Sequence, residues 1–531
     1  MTNMENTTTV IATDKHSVTR EIDRDFSSGN KISGRISRGN IYQILACLIA
    51  NTSVLGPAMG LGYSAIALGP LVAPDSEIKI TFNEQSWIAS ITAITTPIGC
   101  ILSSFFMRRG RRFGIIGTSL TSAIGWLVVY FSYDVSQLLI GRAICGVAIG
   151  LASVPTTVYA AEISSPKLRG YVVTWTSVSI AFGVLVVYIF GYFFQKDWRL
   201  VALLCGLFPI TSLILVILKL PESPVWLRSA GRLMEAEKSL RRLNGINNSN
   251  LETPSDLLLE LSPLSKEIIN DTEGLGKRLR SRGGIFSPLN IKPLLIMVGY
   301  FFFQQFSGTF VVIYYAVDFT LEAGVSIDGH IAAILIGLTR LIGTMLVSYI
   351  SRKFGRRIPS IISGIGMTIF MSILSIYVWS DYAGNKINDN GIIPVISILM
   401  YIFSSALGFL VLPFAMIGEI FPAKVKDIFS GLTTCLAYIF SFAILKIYPD
   451  MLHGFGKHGV FLFYAIISFI GTVFIILLLP ETKGKSLKDI EELFVKKNRS
   501  IIEKNNKNLI IETEEIIDSK TRNTIAINSR N

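Results

Sequence analysis

Windows of 18 or more residues with almost no charge run through the chain in two sets of six. The first set falls near 41–65, 86–106, 114–132, 137–160, 171–194 and 200–220; the second falls near 293–318, 330–350, 359–379, 392–417, 429–449 and 459–479. About 20 apolar residues in a helix cross the hydrocarbon core of a bilayer, and no other open structure satisfies its backbone there. The pattern therefore predicts an all-α integral membrane protein with twelve transmembrane helices in two six-helix bundles. Charged residues are 16% of the chain, where soluble proteins have about a quarter. That excludes a soluble multidomain protein and a disulfide-stapled secreted one. The net charge of +12 does not indicate nucleic acid, because the Arg and Lys residues cluster at span ends. Cys47, Cys100, Cys145, Cys205 and Cys435 lie in apolar stretches without Cys-x-x-Cys spacing and read as small hydrophobes.

Charge then sets the expected topology. The link after span 2 carries Arg108, Arg109, Arg111 and Arg112, and the link after span 8 carries Arg352, Lys353, Arg356 and Arg357. Links 133–136 and 319–329 carry no basic residue. With basic loops on the inside, both termini are expected in the cytoplasm. The division is then an N-terminal tail (1–40), a first bundle (41–220), a cytoplasmic connector (221–292), a second bundle (293–479) and a C-terminal tail (480–531). No signal peptide is read in the polar N-terminal stretch. Within the connector, Gly231 to Leu243 has helical patterning; the tail past Lys496 has no steady period and is expected to be disordered.

The two halves repeat one another. Met107-Arg-Arg-Gly-Arg-Arg112 matches Arg352-Lys-Phe-Gly-Arg-Arg357, and Glu162-Ile-Ser-Ser-Pro-Lys-Leu-Arg-Gly170 matches Glu419-Ile-Phe-Pro-Ala-Lys-Val-Lys-Asp427. Two repeated bundles with a path between them are how alternating-access carriers are built. Gly110 and Gly355 permit tight reversals, and the flanking guanidiniums can pair with Glu162 and Glu419 when the inner side is shut. The gating set is thus Arg108, Arg111, Arg112, Glu162, Arg169, Lys353, Arg356, Arg357, Glu419 and Lys426. Topology anchoring is the plainer reading of the same basic residues.

In span 7, Gln304, Gly308, Val311 and Tyr315 share one helix face, with Gln305 about 100 degrees round. Adjacent amides inside a membrane are costly unless they face a cavity or pair with neighbours. A sugar wants such donors and acceptors; helix packing is the competing use. Tyr314 and Tyr315 serve equally as aromatic packing or as an outer gate.

Taken together, these strings resemble the sugar porter family of the major facilitator superfamily, most nearly its insect trehalose-transporter branch. The resemblance covers about residues 41–495 and rests on five strings: the Gly-Arg-Arg turns; Gly141-Arg142 through Gly146 and Gly150 to Tyr159, Glu162 and Arg169-Gly170; Pro221-Glu-Ser-Pro-Val-Trp-Leu227; Gln304-Gln-Phe-Ser-Gly308 with Tyr314-Tyr315; and Pro480-Glu-Thr-Lys-Gly-Lys-Ser-Leu487. It implies a facilitative carrier of trehalose or a hexose, with Gln304, Gln305, Tyr314, Tyr315, Phe414 and Ser177 toward the substrate. Arg340 stands where glucose carriers present a sugar-facing Asn; a cavity-facing role and a structural pairing remain open for it. Phe414 replaces the family's Trp after Pro413. Ser177, Phe310 and Ala437 occupy positions where hexose carriers usually have amides. Met107 and Arg352 stand for an acidic or Asn residue, and Thr157 for a Pro.

Span 1 has no Asp or Glu, which favours facilitated diffusion over proton coupling. A transporter-shaped sugar sensor is the alternative from another class. An enzyme is disfavoured because His16, His330, His453 and His458 form no cluster. The expected partners are a small-molecule sugar and the lipid bilayer. No cofactor, metal, nucleic acid or obligate protein partner is indicated.

Overall fold

The computed structural model describes residues 38–165, 168, 171–172, 174–244, 288–385, 389, 391–421 and 425–483. Most of the N-terminal tail, the connector past Asn244, the tail past Lys483 and Arg169 lie outside these residues, as do the expectations attached to them.

Among the described residues the chain is helical. The first half contains α1 (Arg38–Val72), α2 (Phe82–Arg109), α3 (Arg111–Tyr130), α4 (Val135–Ala152), α5 (Pro155–Ile163), α6 (Trp175–Phe193) and α7 (Trp198–Lys219). Two short helices follow, α8 (Pro224–Ser229) and α9 (Leu233–Asn244), the second where the connector had helical patterning. The second half contains α10 (Pro288–Phe306), α11 (Thr309–Tyr314), α12 (Ala316–Glu322), α13 (Gly329–Phe354), α14 (Arg357–Tyr382), α15 (Ile392–Ala406), α16 (Leu412–Ile420) and α17 (Lys426–Leu478). Local chemistry sets several starts. Thr81 and Glu84 form a capping box at α2; the carboxylates of Asp134 and Asp328 accept the first free N–H groups of α4 and α13.

Three spans are broken. Span 4 is α4 and α5, interrupted before Pro155, which takes the first turn of α5. Span 7 is α10, α11 and α12, with breaks at Gly308 (φ 90°) and Tyr315 (φ −123°, ψ 32°). Span 10 is α15 and α16; between them Leu407 to Val411 leave the regular helix, and Pro413 opens the next one. The apolar windows expected spans 11 and 12 to be separate, and α17 is indeed two helices that meet at Gly456, whose φ 68° and ψ 171° are not helical. It counts as two spans, which completes twelve.

Packing follows the repeat. In the first half spans 1 and 5, 2 and 4, and 3 and 4 pack together; in the second, spans 8 and 10, and 9 and 10, mirror the latter two. Side chains such as Ile101, Phe105, Ile214 and Leu218 point outward, as lipid requires. Two seams join the halves, α2 against α17 and α6 against α13, and α11 touches α1. The two seams are one contact seen twice, because the repeat carries span 2 onto span 8 and span 5 onto span 11.

Candidate functional site

The basic turns build the same structure in each half. Arg111 grips Glu162 with Nε at 3.0 Å and Nη2 at 2.8 Å, while its Nη1 donates to the Met107 carbonyl. Arg356 grips Glu419 with Nε at 3.1 Å and Nη2 at 2.7 Å, while its Nη1 donates to the Ser351 carbonyl. A second carboxylate in each half caps the helix that follows. Glu222 accepts from the backbone N–H of Arg111 and Arg112, and Glu481 from that of Arg356 and Arg357. The Ser223 hydroxyl donates to Glu162, and the Thr482 hydroxyl to Glu419 at 2.7 Å. Arg112 and Arg357 tie the turns to the Ile217 and Ile476 carbonyls, each at 2.5 Å. The turn glycine is needed twice over in the second half: Gly355 has φ 85°, and a Cβ there would sit 2.5 Å from the Glu481 carboxyl.

All these bonds lie inside one half. The expectation was that the guanidiniums meet Glu162 and Glu419 in a shut state, with opening breaking them; the pairs exist, but they join a turn to span 4 or span 10 of its own bundle. Arg108 and Lys353 point outward over Phe105 and Phe354. Lys426 opens α17. At the basic end a contact between halves comes from Arg352, whose guanidinium lies 3.9 Å from the Tyr171 ring centroid. Arg352 thus has a use in place of the acid or amide expected at its position.

The opposite end is tied across the seam by residues that sequence inspection passed over. The Lys446 ammonium on α17 donates to Asn83 Oδ1 and Ser86 Oγ of α2, both at 2.6 Å, and lies over the Trp87 ring. Trp87 meets Phe442, and Phe82 meets His453. A lone Lys in an otherwise apolar span was the signal that could have revealed this clasp.

Between these ends lie the residues expected to meet substrate. Gln304 and Gln305 are fully buried but differ in use. The Gln304 amide donates to the Phe409 and Leu410 carbonyls at 2.7 and 3.0 Å, which are freed by the break in span 10. Gln305 donates to Gln304 Oε1 at 3.3 Å, and its own Oε1 has no hydrogen-bond partner. Tyr314 faces the other half, its hydroxyl 3.5 Å from Thr92 Oγ1 of α2. Tyr315 turns into its own half, donating to the Leu445 carbonyl and packing on Tyr448. Phe414 is half-buried between Phe301 and Tyr438, and Ser177 is half-buried on α6. Phe310 and Ala437, in place of the expected amides, are buried apolar surface.

Two arginines sit inside the membrane. Arg142 is fully buried and satisfied by neutral acceptors: the carbonyls of Gly60 and Ile88, the Ser64 hydroxyl, and the face of Tyr63. Arg340, 5% exposed on α13, leaves Nε and Nη1 without a hydrogen bond. Span 1 has no carboxylate, but α12 carries two. Asp318, one turn past Tyr315, and Glu322 each bury a carboxylate oxygen without a partner. Asp318 closes the apolar window near 293–318 and Glu322 falls in the link 319–329, and neither had been given a role. Among the described residues no group of three His, Cys, Asp or Glu could hold a metal.

Two pseudo-symmetric bundles, mirrored turns and broken spans facing a seam define an alternating-access membrane carrier. The sequence matches the family described as "Sugar (and other) transporter" over residues 65–494, and the chain belongs to that family. It is a multi-pass membrane carrier of the sugar transporter type rather than an enzyme. Among its relatives are the facilitated trehalose transporters Tret1 of Apis mellifera ligustica, 31% identical over 84% of this chain and 88% of that protein, and of Polypedilum vanderplanki, 30% identical over 85% and 87%. Similar solved structures include the proton:xylose symporter XylE bound to 6-bromo-6-deoxy-D-glucose (TM-score 0.67, 23% identity, 86% of this chain and 100% of that chain). An inward-open structure of XylE from E. coli gives TM-score 0.68 at 23% identity, covering 85% of this chain and 99% of that chain. These likenesses support the major facilitator fold.

Proposed function

We propose that the chain is a uniporter that binds trehalose or a hexose such as glucose between its bundles and exposes it to either side in turn. The observation that carries this reading is the match, over more than four-fifths of the chain, to relatives named facilitated trehalose transporters. The substrate set is Gln305, Tyr314, Arg340, Phe414 and Ser177, with Gln304 and Tyr315 shaping the path from behind. Gln304 holds the broken segment of span 10, and Tyr315 anchors span 7 to span 11. The mirrored turns, including Arg108, Arg169, Lys353 and Lys426, form the inner gate. Because their ion pairs lie within each half, they stiffen the end of each bundle, so that each moves as a unit. The basic end faces the cytoplasm with both termini, the membrane is the cell membrane, and the connector and both tails lie inside.

Saturable uptake of labelled trehalose or glucose into cells expressing the chain tests the reading; absence of saturable flux for both sinks it. Proton-coupled transport is favoured by one observation, the half-buried Asp318 and Glu322, each with one buried carboxylate oxygen that has no hydrogen bond. Uptake that follows an imposed pH gradient, and loses that dependence in Asp318→Asn, would establish coupling in place of uniport.

A further inference from the structure

Arg340 stands apart from Arg142, the other buried arginine among the described residues. Arg142 has each guanidinium nitrogen bonded, and Arg111 and Arg356 have carboxylate partners. Arg340 has neither a carboxylate partner nor a bond to Nε or Nη1. Its place is the α6–α13 seam, where the Tyr188 hydroxyl crosses from span 5 to the Ile313 carbonyl of span 7 at 2.6 Å. One turn before Arg340, Gly337 packs against Tyr188. Tyr314, next along from Ile313, reaches toward span 2 with its hydroxyl 3.5 Å from Thr92 Oγ1. The free donors therefore sit at the seam between spans 5 and 8, where the two bundles meet.

A guanidinium taken into a membrane interior without an anion is costly, and a carboxylate offers it two acceptors in matching geometry. We propose that Arg340 selects a sugar bearing one carboxylate, such as a hexuronate, over the corresponding neutral sugar. This rests on the carrier reading above and extends its substrate class from neutral to acidic sugars. A single free cation balances a single negative charge; a phosphate monoester, carrying close to two, leaves charge unpaired in a low-dielectric site.

The test uses the full chain in proteoliposomes, with labelled D-glucose and D-glucuronate, which differ in the carboxylate at C6. Wild type is expected to carry glucuronate with an apparent KM roughly tenfold or more below that for glucose, the size of one charge-assisted bond pair. Arg340→Asn should remove that preference, bringing the apparent KM values for the two solutes together. Equal or weaker affinity for glucuronate in wild type overturns the proposal while leaving sugar transport intact. Preference for glucose 6-phosphate over glucuronate overturns the assignment to a carboxylate. Absence of saturable flux for every solute overturns the carrier reading along with it. The wild-type comparison decides the matter even if the variant fails to fold.

Discussion

At the scale of single residues, the two span 7 amides are neighbours in sequence and opposites in use. Gln304 is committed to two backbone carbonyls, and Gln304→Ala leaves both buried and unpaired, at about 1–3 kcal/mol each. The expected result is a lower melting temperature in detergent, whereas Gln305→Ala should keep the wild-type melting temperature and raise KM; equal behaviour of the two variants would contradict the division. That both amides belong to a special segment was legible from their cost in a membrane. Which one packs was not, because the partner carbonyls come from a break more than 100 residues away. Glu481 makes a second residue-scale prediction. Burial raises its pKa, but the N–H groups of Arg356, Lys483, Arg357 and Thr482 lower it further, leaving it below the ordinary carboxylate value. The folded state therefore binds fewer protons than the unfolded one, and the stabilisation is present above the unfolded pKa and lost as pH falls through the folded one. Thermal unfolding followed from roughly pH 5 down to 3 should show wild type losing stability that Glu481→Gln never had.

At the scale of elements, the Gly-Arg-Arg turns were legible as repeats, together with their partners Glu162 and Glu419. The capping carboxylates Glu222 and Glu481 sat in quoted strings without an assigned task, since nothing local in sequence says that a residue 111 positions from Arg111 will meet its N–H. Gly355→Ala meets both a carboxyl and a backbone conformation suited to glycine, and should cost about 1–3 kcal/mol in the stability of the second bundle. Arg112→Gln combined with Arg357→Gln unties both turns from the spans beside them. It should lower maximal transport rate more than it changes KM, and an unchanged rate would show that these turns only set topology. Pro413 could be read as breaking span 10, but span 7 was read as one helix face through Gly308, and the left-handed Gly308 and the break at Tyr315 interrupt that face.

At the scale of the whole molecule, the windows already carried the architecture: lipid allows little besides helices, and twelve windows in two repeated sets leave one familiar arrangement. The clasp at the end away from the basic turns depends on both bundles at once, which is why it emerged only from the fold. Lys446 joins Asn83 and Ser86 across the seam, so the halves are held together there. Cysteines placed at 83 and 446 should cross-link and arrest transport, with reduction restoring it. Failure to cross-link under turnover would show that this clasp is not part of the cycle.

Countertransport tests alternating access most directly, because it separates a carrier from a sugar-binding protein that moves nothing. Proteoliposomes preloaded with unlabelled trehalose, glucose or glucuronate are offered a trace of the same labelled solute outside. An alternating-access carrier accumulates label transiently above equilibrium for at least one of the three, faster than from empty vesicles. Label that never exceeds its outside concentration for any of them, with the chain inserted and folded, would contradict it.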